Sequence, residues 1–354
     1  MAWAFFASAR AEGWLDAVGF DGLSDCAEQR GFDAAGFLKG LLTGQATGGA
    51  DALKSWVEAL ATEARAMLTT LARRLMIPVA VCAALRLAVG RGAGSGMADL
   101  ACALCCAAAL SEVFLTAREE ARTLIEAQLE LVQTLTPVMV SACALGGAPA
   151  TAGLLAPMAA EGANLAAYAL QDAGISLCSA AGAVAVAGCL SGRFPLNRLF
   201  LLIKSLVKGL LGATALLFGA LVTVQGTLGA SRDSAAVRAA KTALDALAPV
   251  IGGGLSDPAG ALAVSAATLR RAVGFTGAAL ALYACAGPLM RLAAAMLSAK
   301  LAAALLEPLS MGPAARLCGQ FGELMELLMA ICVTCGIITA LLAGGCAACL
   351  GAAG

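Results

Sequence analysis

Histidine is absent from the 354 residues, which removes the commonest general base and the commonest metal ligand together. Charge is scarce as well. Only 13% of the chain is Asp, Glu, Lys or Arg, with 23 of each sign and a net charge of zero. Without a basic field, and with aromatics at 5% and none clustered with basic residues, nucleic-acid binding is not expected. No P-loop, nucleophile–base pair or paired intramembrane carboxylates occur, so no catalytic site or cofactor is expected. What remains is apolar. The chain is 60% hydrophobic with a mean hydropathy of +0.87, against about 45–50% apolar and about 25% charged for a soluble domain. There is too little polar surface to coat a globule of this size, and lipid is the natural solvent for the excess.

Cysteine is the exception to the scarcity of reactive groups, with fourteen in the chain. Most lie inside apolar runs, where a free thiol behaves as a small hydrophobe. Cys332-x-x-Cys335 and Cys346-x-x-Cys349 imitate a zinc-binding double pair. The segment from residue 327 to the end carries no charge, and small residues on one helix face produce the same spacing. A packing role is expected, and no metal.

A span needs about 20 mostly apolar residues. By this measure the chain divides into an N-terminal polar and amphipathic region, 1–72, and a multi-pass membrane domain, 73–354. Residues 51–72 repeat apolar positions at three- and four-residue steps: Leu53, Trp56, Val57, Leu60, Met67, Leu68, Leu71. Such a helix either lies on the membrane with Trp56 at the interface or packs on a small domain. Candidate spans follow at 75–90 and 97–117. A polar helix then carries Arg118, Arg122, Glu126 and Glu130 on one line, with an expected Arg122–Glu126 ion pair. That line suits a surface or cavity rather than lipid.

Residues 131–160 hold no charge, and Pro137, Gly146, Gly147, Pro149 and Pro157 interrupt them. A break near 146–149 is expected, with a second helix from Thr151 that carries Glu161, a candidate intramembrane charge. Further spans are expected at 173–192, 209–230, 272–290 and 324–354, with an apolar stretch at 291–306. The loop after 192 holds Arg193, Arg198, Lys204 and Lys208 without an acid, which marks it as cytoplasmic. Residues 231–256 read as another amphipathic segment. The turn Glu307-Pro308-Leu309-Ser310-Met311-Gly312-Pro313 suggests a helix break or a re-entrant hairpin. The sum is an all-α polytopic transmembrane bundle of about seven or eight spans, with broken or re-entrant helices and amphipathic surface helices.

Several blocks stand in a distinctive order: Thr223-Val224-Gln225-Gly226, Arg238-Ala239-Ala240-Lys241, Pro249-Val250-Ile251-Gly252, and Lys300-Leu301-Ala302-Ala303-Ala304-Leu305-Leu306-Glu307-Pro308 closed by Gly312-Pro313. In order and spacing the chain resembles the stage III sporulation protein AE family over roughly residues 50–350, with weaker similarity back to Leu53-Lys54-Ser55-Trp56. Two departures stand out: a poor signal-like N-terminus and an unusual richness in Ala and Cys. The resemblance implies a multi-pass protein of the mother-cell membrane around the forespore. It also implies partnership with the stage III sporulation proteins AA to AH and stage II sporulation protein Q, in a secretion-like channel or feeding complex needed for late forespore development.

Two functions are open on these grounds. One is a structural or channel-forming subunit, with the lipid bilayer and copies of itself as further partners. Its candidate packing, pore or partner residues are Gln225, Gly226, Arg238, Lys241, Lys300, Glu307, Pro308, Gly312 and Pro313. The alternative is an autonomous secondary transporter with a midplane site between broken helices, lined by Glu161, Lys300 and Glu307. Lys300 and Glu307, seven residues apart, either share a polar stripe on one helix or are a snorkelling lysine and a helix-terminal glutamate. Segment 231–256 is either a partner element or an interfacial helix.

Overall fold

In the computed structural model the described residues are 24, 25, 27, 28, 33, 34, 36, 37, 58, 61, 62, 65, 66, 68–71, 73, 76–85, 95–145, 149–190, 196–221, 223, 256–308 and 312–348. Among them there is no strand, and six helices are long and apolar enough to cross a membrane. In chain order we label α1 (Leu68–Leu85), α2 (Ser95–Leu145), α3 (Pro149–Ala166), α4 (Ser176–Leu190), α5 (Asn197–Leu221), α6 (Ser256–Leu306) and α7 (Gly312–Ala348). A π-helix, Ala167–Ile175, joins α3 to α4 without a break.

Among the described residues, several of the expected segments run together into longer helices. The stretches 97–117, 118–130 and 131–144 form one helix, α2, of 51 residues. Pro137 lies inside it, where a proline would ordinarily kink or break a helix. The expected spans around 151–172 and 173–192 run together through the π-helix. Residues 272–290 and 291–306 belong to the single helix α6, with Pro288 inside. At 1.5 Å per residue, α2 and α6 are each about 76 Å long. That is more than twice the roughly 30 Å of bilayer hydrocarbon, so part of each lies outside it.

The α6–α7 hairpin organises the bundle. Lys300 pairs with Glu326 at 3.2 Å, and Cys285 lies against Gly336 further down, so the two helices run antiparallel. α2 packs on both helices and runs antiparallel to α6, through Arg291–Glu120 at 3.6 Å and Gln128–Ala281 at 3.0 Å. α7 is the most buried helix. Its Leu324, Met325, Leu328, Ile331 and Cys332 sit at zero exposure, and Phe114 of α2 meets Phe321 edge-on at a 5.9 Å centroid distance. α6 faces the core with small residues, including Ala281, Ala295, Ala299 and Ala302. Between helices in lipid, van der Waals packing of small side chains replaces the hydrophobic drive.

One contact between α6 and α7 needs a glycine. A Cβ on Gly336 would stand 2.6 Å from the Cys285 Sγ, which Gln128 Nε2 already holds at 3.1 Å. Gly336→Ala is therefore expected to cost about 1–3 kcal/mol, the usual penalty of overpacking. A lower melting temperature of the detergent-purified protein would register it. Adding Cys285→Ala should restore most of the loss; an unchanged melting temperature in the single variant would contradict this packing.

Candidate functional site

Exposed side chains divide by face. Among the described side chains of α6 they include Phe275, Leu282, Met290, Leu297, Leu301 and Leu305, together with the charged Lys300. On α5 they include Leu199, Leu202, Leu206, Leu216 and Leu217. On α1 they are Met76, Ile77, Val81 and Leu85. These are surfaces for hydrocarbon.

The exposed face of α2 is different. Glu112, Thr116, Glu119, Arg122, Thr123, Glu126, Glu130 and Gln133 recur at three- and four-residue steps, all exposed. That spacing keeps them on one side of the helix. The row runs 21 residues, about 32 Å. Its hydroxyls are satisfied locally: Thr116 and Thr123 donate to the carbonyls of Glu112 and Glu119 at 3.1 and 2.9 Å.

The α3–π–α4 helix continues this face. Glu161, Asn164, Tyr168, Asp172 and Ser176 are exposed at the same steps, Tyr168 at 69%. Gln171 joins the two rows. Its Nε2 donates to Glu126 Oε1 at 2.9 Å, and Arg122 Nε donates to the same oxygen at 3.0 Å, the ion pair expected from sequence. The wider turn of the π-helix sets the register in which Gln171 reaches Glu126 while Leu170 and Ile175 stay buried; π-turns recur at functional sites. The face carries six carboxylates (Glu112, Glu119, Glu126, Glu130, Glu161, Asp172) against the exposed Arg122 and half-buried Arg118.

Behind the face, α2 turns Gln128 into the core at zero exposure. Its Nε2 donates to Ala281 O and Cys285 Sγ, while its Oε1 has no hydrogen-bond partner among the described residues. These interhelical bonds tie the polar helix to α6 within the two turns before Pro288. Composition gave no hint of it, because a lone glutamine in a polar stretch reads as surface.

The residues singled out from sequence are spread over the molecule. Glu161 joins the hydrophilic face. Lys300 is half-exposed in its pair with Glu326, and Glu307 is the first residue past α6, which ends at Leu306. Glu307 and Pro308 form the exposed turn, where the Glu307 N–H donates to Ala303 O at 3.1 Å. Gly312 and Pro313 open α7, proline at a position that needs no helical N–H. The chain thus breaks between two long helices, α6 ending at Leu306 and α7 beginning at Gly312. Gln225, Gly226, Arg238, Lys241 and the rest of segment 231–255 lie outside the described residues, as do most of residues 1–72. Cys332 and Cys335 are buried in the core of α7, as packing predicts. Among the described residues no group of three Cys, Asp or Glu is arranged to hold a metal ion.

Comparison with known proteins identifies relatives of this arrangement. The family model described as stage III sporulation protein AE matches residues 33–348. Stage III sporulation protein AE of Bacillus subtilis (strain 168) is 24% identical over 189 residues. That match covers 53% of this chain and 47% of the relative, so the chain spans about half the length of the curated relative it matches. No solved structure matches.

Proposed function

Because the chain belongs to the stage III sporulation protein AE family, we propose that it is a conduit-forming subunit of a sporulation membrane complex, with the α2–π face lining its aqueous path. The family carries the sporulation role, and the six apolar helices carry the multi-pass membrane location. The finer reading rests on one observation: a hydrophilic row about as long as the hydrocarbon is thick, on a bundle that also exposes long rows of apolar side chains on α1, α5 and α6. A charged side chain facing lipid costs roughly 2.5–3.5 kcal/mol at mid-depth. Six carboxylates exposed on one face would make lipid contact prohibitive. Water or protein must cover them. One such face per subunit, flanked by apolar α6 and α5, suits a wedge in a ring whose lumen is wet.

In this reading the subunit works in the mother-cell membrane beside other stage III sporulation proteins. It contributes a wall rather than a pump. The transporter alternative needs two broken helices meeting at one midplane site. The turn at 307–313 instead caps two long helices, which favours the wall.

Substituted-cysteine accessibility tests the proposal in native membranes. Single cysteines at Glu119, Glu130, Tyr168 and Asp172 are expected to react with a charged, membrane-impermeant thiosulfonate. Cysteines at Leu282, Leu297 and Leu216 are expected to stay unmodified. Equal labelling of both sets, or none at the first, would overturn the aqueous lining.

A further inference from the structure

A second polar site lies at one end of the bundle, away from the α2–π face. α5 begins at Asn197 beside the first turns of α7. Gln320 Nε2 donates to Asn197 Oδ1 at 3.1 Å, and Lys204 Nζ pairs with Glu323 Oε2 at 2.8 Å. Both contacts advance along the two helices together, so α5 and α7 run in the same direction here. Phe200, 1% exposed, anchors the inner side of α5 between them.

The outer side gathers positive charge. Arg198 is exposed in the first turn of α5, next to Asn197. Arg316 is exposed on α7, one turn before Gln320 and therefore on the same side of that helix. The Asn197–Gln320 bond thus holds two guanidinium-bearing positions on neighbouring helices. Arg316 Nε donates to Gly312 O at 3.1 Å, which steadies the side chain along the first turn of α7. The N-terminal N–H groups of α5 add the positive end of a 25-residue helix. Lys204 is neutralised by Glu323 and is not part of the group. Lys208 lies ten residues beyond Arg198, about 15 Å along the axis, too far to share one ligand. Exposed Glu307, in the turn before α7, is the carboxylate nearest in sequence to Arg316 on its N-terminal side, and it offsets part of the charge.

Apolar surface leads straight from this group. Leu199, Leu202 and Leu206 are exposed at 44, 54 and 53%, at steps that align them down one side of α5 from Arg198. A ligand that meets both features has an anionic head and a long apolar tail. We propose that Arg198, Arg316 and the α5 N-terminus bind the phosphodiester of an anionic phospholipid, with its acyl chains along the leucine row. A free phosphate would use the head of this site and nothing of the row, so the lipid is the better fit. Guanidinium groups suit phosphate because their planar fork offers paired donors.

The test uses the full chain in detergent micelles supplemented with phosphatidylglycerol or with phosphatidylcholine of the same acyl composition. Lipid retention is read by native mass spectrometry and thermal stability by melting. Phosphatidylglycerol is expected to be retained roughly thirtyfold more strongly, the scale set by two basic side chains at an anionic surface, and to raise the melting temperature. R198Q/R316Q is expected to abolish the preference with the phosphatidylcholine melting temperature unchanged. R198K/R316K keeps both charges and should keep most of the preference, so the result survives if the glutamine pair fails to fold. K208Q should leave it intact. An undiminished preference in R198Q/R316Q, or its loss in K208Q alone, would overturn the site. Equal stabilisation by millimolar inorganic phosphate would overturn the lipid as its ligand.

Discussion

Replacing Glu119, Glu126 and Glu130 together by leucine is expected to abolish most heat-resistant spore formation in the host while leaving the protein in the membrane. The triple change removes three of the six carboxylates on the α2–π face. It also deletes the acceptor shared by Arg122 and Gln171, leaving Arg122 without the carboxylate now 3.0 Å away. Leucine is a better helix former than most residues and is at home in hydrocarbon, so α2 itself should persist. The core side of α2, with Leu124, Ile125 and Gln128 buried, is untouched. Stability and function are therefore separable. Spore counts after heating and immunoblots of washed membranes read the two in one strain. Normal spore yield at normal protein level would mean that the face lines nothing essential. The conservative set E119Q/E126Q/E130Q keeps the face hydrophilic and is expected to retain much more activity than the leucine set. If both sets fail equally, charge rather than wetness is what the face supplies.

The second large effect is structural. Phe321→Ala is expected to destabilise the bundle by about 3–5 kcal/mol, the range for deleting a buried aromatic. Phe321 is 1% exposed in the core of α7 and packs edge-on against Phe114 of α2. Lipid solvates the freed surface no better than the missing ring did, so cavity and lost dispersion carry the cost. Little or no folded protein should survive detergent extraction at a temperature the parent tolerates. Phe321→Leu keeps much of the volume and is expected to lose far less. A Phe321→Ala protein that melts within a degree or two of the parent would mean that α2 and α7 are not packed as described. Surface pairs offer a contrast. Lys300–Glu326 is a surface pair with both side chains nearly half exposed, and losing it opens no cavity in the core. Its motif looks more important in sequence than its energetics suggest.

Composition and periodicity alone determined that this is a helical, multi-pass membrane protein. The reason is physical: 60% hydrophobic residues and 13% charged residues cannot be folded with a water-compatible surface. The ion pair of Arg122 with Glu126 was equally legible, because i,i+4 neighbours meet on any helix. So was the polar line on α2, since charge at helical spacing is a local property. The number of helices was not legible. Pro137 and Pro288 lie inside long helices, and whether a proline ends a helix or is carried through it depends on neighbours that hold the two halves together. Nor could sequence bring Gln171 beside Glu126, 45 residues away. That juxtaposition depends on a π-helix and on how α2 and α3–α4 pack. The same holds for Gln128 against Ala281, 153 residues away, and for Asn197 against Gln320, 123 away. One-dimensional patterns fix which side of each helix is polar. Only the packing of the helices decides which polar sides meet, and so whether they form a wet wall, a lipid site or nothing.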